Sequence, residues 1–304
     1  MLQQRAAFNN AIRAFFSERG VLEVETPQLA PAAVSDPHIQ SLAVPPQQWL
    51  RTSPEYFHKR LLAAGSGDIY ELGKVFRAGE AGRWHNPEFT MLEWYRQGWT
   101  YQELMDEVEQ LVRHLLGDQK DAWSSQRLSY RELHQRYLEI DPFTLNDSDW
   151  VQIATSEGLS TANRETIATL QDFVYGVVVR RHLPPHTLTF VYDFPTAQAA
   201  LARIRPGQPA VAERFELFLG QVEIANGYQE LTDASEQRQR FHDDLNLRRR
   251  QGLETAPLDE NLLAALTAGL PECAGVAVGV DRLLAIISGS SELKQVLSFC
   301  SANH

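Results

Sequence analysis

The sequence predicts an α+β fold, a mainly antiparallel sheet flanked by helices, and three observations carry that prediction. Tyr70 to Tyr95 and Arg214 to Leu231 each read as two alternating arms joined through glycine, the pattern of antiparallel hairpins. Stretches with helical periodicity lie before, between and after them. Near the end, CAGVAVGVDRLLAIISG gives an apolar, glycine-bearing strand that runs directly into a helix. With 304 residues, 43% of them hydrophobic and 22% charged, the chain is long and apolar enough to bury one large core. A single domain over 1–304, with an insertion at about 118–187, is the expected organisation.

Leu2 to Arg19 is amphipathic, with Phe8, Ile12, Phe15 and Phe16 on one side, and Gly20 suits its stop. That apolar side is either plain packing or a subunit interface. VLEV then alternates as a short strand closed by Thr26-Pro27, and Pro31 to Gln48 reads as a loop. Trp49 to Arg51 is strand-like, and Ser53 can cap a helix opened by Pro54 with Glu55 in its first turn. After the first hairpin, Tyr101 to Leu116 is a helix stopped near Gly117. From Asp118 to His186 the chain turns polar and irregular, with helical pieces around Tyr130 to Tyr137 and Thr166 to Arg181. Leu188 to Pro195 resumes the sheet. Ala234 to Gly252 and Asp259 to Leu266 are helices, and the run Arg248 to Arg250 is read as a solvated helix face.

Composition removes several function classes. A net charge of −11 disfavours non-specific binding to a polyanion, without excluding local basic patches. Two cysteines without metal-ligand spacing, no leader-like N-terminus and no apolar run of membrane length point to a cytoplasmic protein without disulfides, zinc or membrane partner. Neither a P-loop nor a dinucleotide glycine motif is present.

Chemistry concentrates in three places. The first hairpin carries Arg77, Glu88, Glu93 and Tyr95 around a polar loop, a set that is costly to bury unless a partner or ligand answers the charges. Glu216 and Glu223 bracket a glycine turn, and two carboxylates brought together there either repel, hold a cation, or alternate by chance on a wet face. Arg282 opposes the dipole at a helix start, a position that an anion would compensate. Arginine with a divalent cation suits a polyphosphate, while Glu55, Glu93, Glu230 and Tyr95 suit an amine-bearing substrate.

GVLEVETP with its preceding helix, FRAGEAGRWHNPEFTMLEWY and GVAVGVDRLL resemble, in order, the three signature motifs of class II aminoacyl-tRNA synthetases. TSPEYFHKRLL, HNPEFTMLEWY and EIANGYQELTDA are similar to the lysyl branch, and the likeness runs from the first helix to the last strand. Because the chain opens at the first motif, an N-terminal OB-fold anticodon domain is expected to be absent. In length and motif wording it is most similar to the core-only paralogous family, the elongation factor P–(R)-β-lysine ligases.

The resemblance implies the class II catalytic core, ATP and Mg2+ as cofactors, (R)-β-lysine as substrate, elongation factor P rather than tRNA as acceptor, and a homodimer. The alternatives are a truncated lysyl-tRNA synthetase charging tRNA with α-lysine and a non-catalytic regulator. It further implies catalytic roles for Arg77, Glu223 and Arg282. Arg77, Ala78, Gly79, His85, Asn86, Phe89, Glu223, Ile224, Gly279 and Arg282 would bind ATP, and Glu216 with Glu223 would hold magnesium. Ser53, Pro54, Glu55, Glu93, Tyr95, Asn226, Glu230 and Ala277 would form the amino-acid pocket. Three positions depart from the synthetase pattern. Gly79 stands where the second motif has glutamate, so either Glu80 substitutes or the adenine contact is made by backbone. Trp84 replaces an arginine, and Ala277 replaces a pocket glycine.

Overall fold

Residues 1–300 are described in the computed structural model. Two compact units divide the chain: Met1–Gly117 with Gly227–His304, and Asp118–Asn226.

The first unit opens with helix α1 (Leu2–Ser17), whose Phe8, Ile12, Phe15 and Phe16 are all buried. The apolar stripe is therefore core packing: Phe16 stacks on Tyr70 and meets Trp94 edge-on. Gly20 takes φ +66°, which frees the chain to leave the helix for the short strand β1 (Leu22–Glu23). The segment read as a loop is partly ordered. Strands β2 (Leu29–Ala30), β3 (Leu42–Val44) and β4 (Gln48–Leu50) form a small antiparallel sheet in the order β2-β4-β3. The strand-like Trp49 to Arg51 emerges as β4, whereas β2 and β3 carry too little alternation to be read from sequence.

Helix α2 (Glu55–Ala63) leads into β5 (Ile69–Phe76) and β6 (Glu88–Gln97), the two arms of the first hairpin. Helix α3 (Tyr101–Leu116) follows, opened by the Thr100–Glu103 capping box and closed by Gly117 at φ +55°.

In the second unit, β7 (Ser124–Ser129) pairs parallel with β8 (Thr187–Pro195). Helices α4 (Tyr130–Leu138), α5 (Asp147–Ser156) and α6 (Ile167–Phe173) lie between them, and α6 continues into a π-helical turn at Val174–Val179. Neither β7 nor α5 was anticipated, because polar residues dominate both. Strand β9 (Ile204–Arg205) pairs with β10 (Val211–Leu219), which also pairs antiparallel with β8. Gly220 at φ +58° then turns the chain into β11 (Val222–Gln229), whose residues from Gly227 onward return to the first unit.

There the chain completes α7 (Ala234–Arg250), α8 (Glu260–Gly269), β12 (Cys273–Gly279) and α9 (Val280–Ile287). The first unit's main strands run β1-β5-β6-β12, parallel only between β1 and β5. The reading of Arg248 as solvated is corrected: its guanidinium is buried and donates to the carbonyls of Asp36, Ile39 and Glu254. A buried guanidinium needs such acceptors, and it anchors the segment before β3. No helix among the described residues is long and apolar enough to cross a membrane.

Candidate active site

The register of three strands builds one face. Glu71 lies opposite Glu93, and Ile69 opposite Tyr95, across β5 and β6; Gly275, Ala277 and Gly279 of β12 lie opposite Tyr95, Glu93 and Met91. Period-two alternation puts Glu71, Glu93 and Tyr95 on the same side, above a floor of small residues. The floor has no spare room: a Cβ on Gly275 would meet Tyr95 Cε1 at 2.3 Å and Glu230 Oε1 at 2.5 Å.

Around this floor the acids are densely partnered. Glu93 Oε2 accepts from Ser53 Oγ at 2.6 Å, and its Oε1 accepts from the Tyr95 hydroxyl at 2.9 Å. Ser53 Oγ also accepts from the Glu55 N–H at 3.0 Å, so it steadies the start of α2 from just outside the helix. The Lys59 ammonium, 1% exposed, lies 2.6 Å from Glu55 and 2.7 Å from Glu230. His58, 0% exposed, lies with Nε2 at 3.1 Å from Glu71 Oε2 and Nδ1 at 3.6 Å from Glu93 Oε1. Arg51 Nη2 meets Glu71 Oε1 at 2.7 Å, and Thr26 Oγ1 donates to Glu71 Oε2 at 2.7 Å.

Burial and neighbouring charge compete at each group. Burial opposes the His58 and Lys59 cations, but the flanking carboxylates outweigh it and both pKa values rise. Burial also opposes the Glu71 anion, yet His58, Arg51 and Thr26 pull it down to about 2. Glu55 and Tyr95 are pushed up, chiefly by burial, and Glu230 rises to about 8 from burial despite Lys59. Four carboxyl groups (Glu55, Glu71, Glu93, Glu230) thus outnumber three basic side chains (Arg51, Lys59, His58), and the raised Glu230 holds a proton in place of a fourth cation. A buried site so arranged is suited to one additional cation, which would displace that proton.

The hairpin end presents a different chemistry. Arg77 Nε donates to the Thr52 carbonyl at 3.4 Å, and its guanidinium lies 5.2 Å from the centre of the Phe89 ring. Gly79 at φ +76° lets the chain double back, so Glu80 comes 3.6 Å from Arg77. An acid therefore lies beside Arg77 although Gly79 occupies the position where the second motif has glutamate. Gly82 and His85 exchange backbone hydrogen bonds at the loop tip, where His85 is exposed. Asn86 is buried and donates to the Glu88 carbonyl. The Ala78 N–H donates to the Gln40 carbonyl at 2.8 Å. From α9, Arg282 Nε donates to the Trp84 carbonyl at 3.0 Å. Trp84 therefore still serves this loop, through its backbone.

In the second unit Glu216 is buried, accepts from the Tyr175 hydroxyl at 2.7 Å and pairs with Arg214. Burial, partly offset by Arg214 and reinforced by Glu223, lifts Glu216 to about 7. The glycine turn thus brings the two acids within electrostatic reach, as the sequence implied. Among the described residues they are not part of any cluster of three His, Cys, Asp or Glu. Two mutually repelling carboxylates, Glu216 buried and Glu223 half-buried, fit a hard cation that keeps water or phosphate as its remaining ligands, which is the habit of Mg2+. Asn226 accepts from Arg214 Nε at 3.2 Å in the same unit, and Ile224 is buried on β11.

Sequence reasoning missed Lys59, His58, Glu71, Arg51 and Tyr175. The i,i+4 spacing of Glu55 and Lys59 was a usable signal, as was the shared parity of Glu71 with Gly73 and Val75. Nothing local marks Tyr175, in the polar, irregular stretch from Asp118 to His186. Its delivery by a π-helical turn is a tertiary fact.

The chain matches the family tRNA synthetases class II (D, K and N) over residues 1–303. Proteins named elongation factor P–(R)-beta-lysine ligase from Yersinia enterocolitica and Photorhabdus laumondii are each 46% identical to it over 98% of this chain and 94% of their own length. The protein of that name from Proteus mirabilis is also 46% identical, with the same coverage.

Proposed function

The chain belongs to the class II tRNA synthetase family, in the branch of the elongation factor P–(R)-β-lysine ligases, and we propose that it activates (R)-β-lysine with ATP and joins it to a lysine side chain of elongation factor P. The observation that carries this reading is the buried acidic cluster, in which four carboxyl groups outnumber three basic side chains, built on the same hairpin as Arg77 and Phe89. Such a pocket takes an ammonium, and the hairpin end suits a phosphate and an aromatic base.

In the assigned roles, Ser53, Pro54, Glu55, Glu93, Tyr95, Asn226, Glu230 and Ala277 bind the amino acid, with Tyr95 and Glu230 toward the side-chain ammonium. Arg77 holds the substrate carboxylate and the α-phosphate. Ala78, Gly79, His85, Asn86, Ile224, Gly279 and Arg282 bind ATP, and Phe89 stacks on adenine. Glu216 and Glu223 are the acids for a magnesium ion, which when bound would neutralise phosphate charge. The residues 1–304 are assigned to one synthetase-like catalytic domain with an insertion at about 118–187. A cytoplasmic homodimer completes the proposal; the exposed Leu2, Leu22 and Leu29 at and just after α1 support an interface there.

The first step is attack of a β-lysine carboxylate oxygen on the ATP α-phosphorus, with pyrophosphate leaving. Arg77 stabilises the charge that develops on the α-phosphate. In the second, the acceptor amine attacks the acyl carbon, AMP leaves and an amide forms. Positioning and electrostatics suffice, and no protein nucleophile takes part.

The test is ATP–pyrophosphate exchange with (R)-β-lysine and with α-lysine, followed by transfer to elongation factor P or to tRNA. Exchange preferring β-lysine and transfer to the protein are expected. Arg77→Ala is expected to lose exchange by about 100-fold or more, the cost of one preorganised charge-stabilising donor. Near-normal exchange in that variant, or transfer to tRNA alone, refutes the assignment.

A further inference from the structure

We propose that His58 is a positioning residue for the ammonium pocket: an imidazolium that bridges Glu71 and Glu93, fixes the Glu93 carboxylate and cancels one buried negative charge. The inference rests on the pocket reading above and adds the element that sets the pocket's charge.

The geometry sets both ring nitrogens against carboxyl groups. His58 is fully buried, with Nε2 at 3.1 Å from Glu71 and Nδ1, which has no hydrogen-bond partner, at ion-pair distance, 3.6 Å, from Glu93. A neutral imidazole carries one N–H and can serve only one of these carboxylates. The ring is held edge-on against Tyr95, 5.5 Å between centres, so it cannot turn away freely. Every group facing this network favours the charged form or is already engaged. From β5 comes Glu71, itself held by Arg51 and Thr26. From β6 come Glu93 and Tyr95, and Ser53 completes the shell of Glu93. On α2 the nearby Lys59 is occupied between Glu55 and Glu230. The raised pKa of His58 agrees with this arrangement.

The consequence is a charge count. With His58 protonated its charge answers one of the buried carboxylates; with a neutral residue there that carboxylate is left unanswered, and it must take up a proton or leave its position. Glu93, which His58 and Ser53 hold from either side, is the acid set free.

Two measurements on the full-length protein test this. In protein labelled with 15N at histidine, the His58 resonance, assigned by its loss in His58→Gln, is expected to show both ring nitrogens protonated at about pH 7. A neutral tautomer overturns the proposal, and this readout does not depend on which amino acid the enzyme activates. In the exchange assay, His58→Met is expected to raise KM for the amino acid about tenfold, the scale of one charge-assisted hydrogen bond, with KM for ATP unchanged. The double variant His58→Met with Glu71→Gln removes one cation and one anion together, returns the pocket to the parent's net charge, and is expected to recover most of that loss. An unchanged amino-acid KM in the single variant, or a double variant no better than the single, overturns the proposal. If His58→Met is too unstable to assay, recovered folding in the double variant reads the same compensation, and equal instability overturns it. Absence of exchange with β-lysine in the unmodified protein would instead sink the functional reading and leave the resonance test standing.

Discussion

Gly275→Ala tests the architecture of the amino-acid pocket most directly. The added methyl carbon would sit 2.3 Å from Tyr95 Cε1, 2.6 Å from Tyr95 Cδ1 and 2.5 Å from Glu230 Oε1, all well inside contact distance. Neither neighbour can yield cheaply: Tyr95 is 2% exposed and bonded to Glu93, and Glu230 is 1% exposed and paired to Lys59. Overpacking of this kind costs about 1–3 kcal/mol, and displacing the Tyr95–Glu93 hydrogen bond adds roughly 1 kcal/mol. The amino-acid KM in pyrophosphate exchange is therefore expected to rise by about 30-fold to several hundred-fold, since 1.4 kcal/mol is tenfold. KM for ATP should stay near its original value, because Gly279 and Arg77 are untouched. Gly82→Ala is the control: a Cβ there meets nothing within 4 Å. Should Gly275→Ala bind its amino acid within about threefold of the parent, a spread expected of neutral changes, Tyr95 and Glu230 do not enclose this floor and the pocket is misplaced.

Two further outcomes are expected. Lys59→Met strands the Glu55 and Glu230 carboxylates beside each other in the interior, and removing one partner of a buried ion pair costs about 3–5 kcal/mol; denaturant unfolding that shows less than about 1 kcal/mol would mean the ammonium is not buried between them. At Glu216 the sign follows from its raised pKa. Between its ordinary 4.5 and about 7, the folded protein keeps a proton that the unfolded chain has released, so its contribution to stability falls as pH rises through that window. A divalent ion replaces that proton, so the thermal stabilisation by Mg2+ should grow from about pH 5 to about pH 8, and Glu216→Gln should flatten the dependence. A Mg2+ effect independent of pH in the parent protein would exclude Glu216 as a ligand.

Much of the frame was legible in local sequence. The hairpin at Tyr70–Tyr95, helix α3 with Gly117 at its end, and the turn between Glu216 and Glu223 all emerged where alternation, periodicity and glycine placed them. These signals are local because side-chain direction repeats every two residues in a strand and every 3.6 in a helix. Segments without them were misread. Strands β2 and β3 are too short to show a period, and Arg248 looked like its neighbours Arg249 and Arg250 until its carbonyl partners were known.

By itself the sequence determined an α+β chain, the family, and the residue types suited to an amine-bearing substrate and a polyphosphate. Only the tertiary structure decided how those charges balance. Lys59 reads as an ordinary helix lysine until α2 brings it to Glu230, and Glu71 as an ordinary strand acid until β5 sets it against Glu93 and His58. Charge pairing depends on distance and on exclusion of water, and both are properties of strand register and burial that no single stretch of sequence contains.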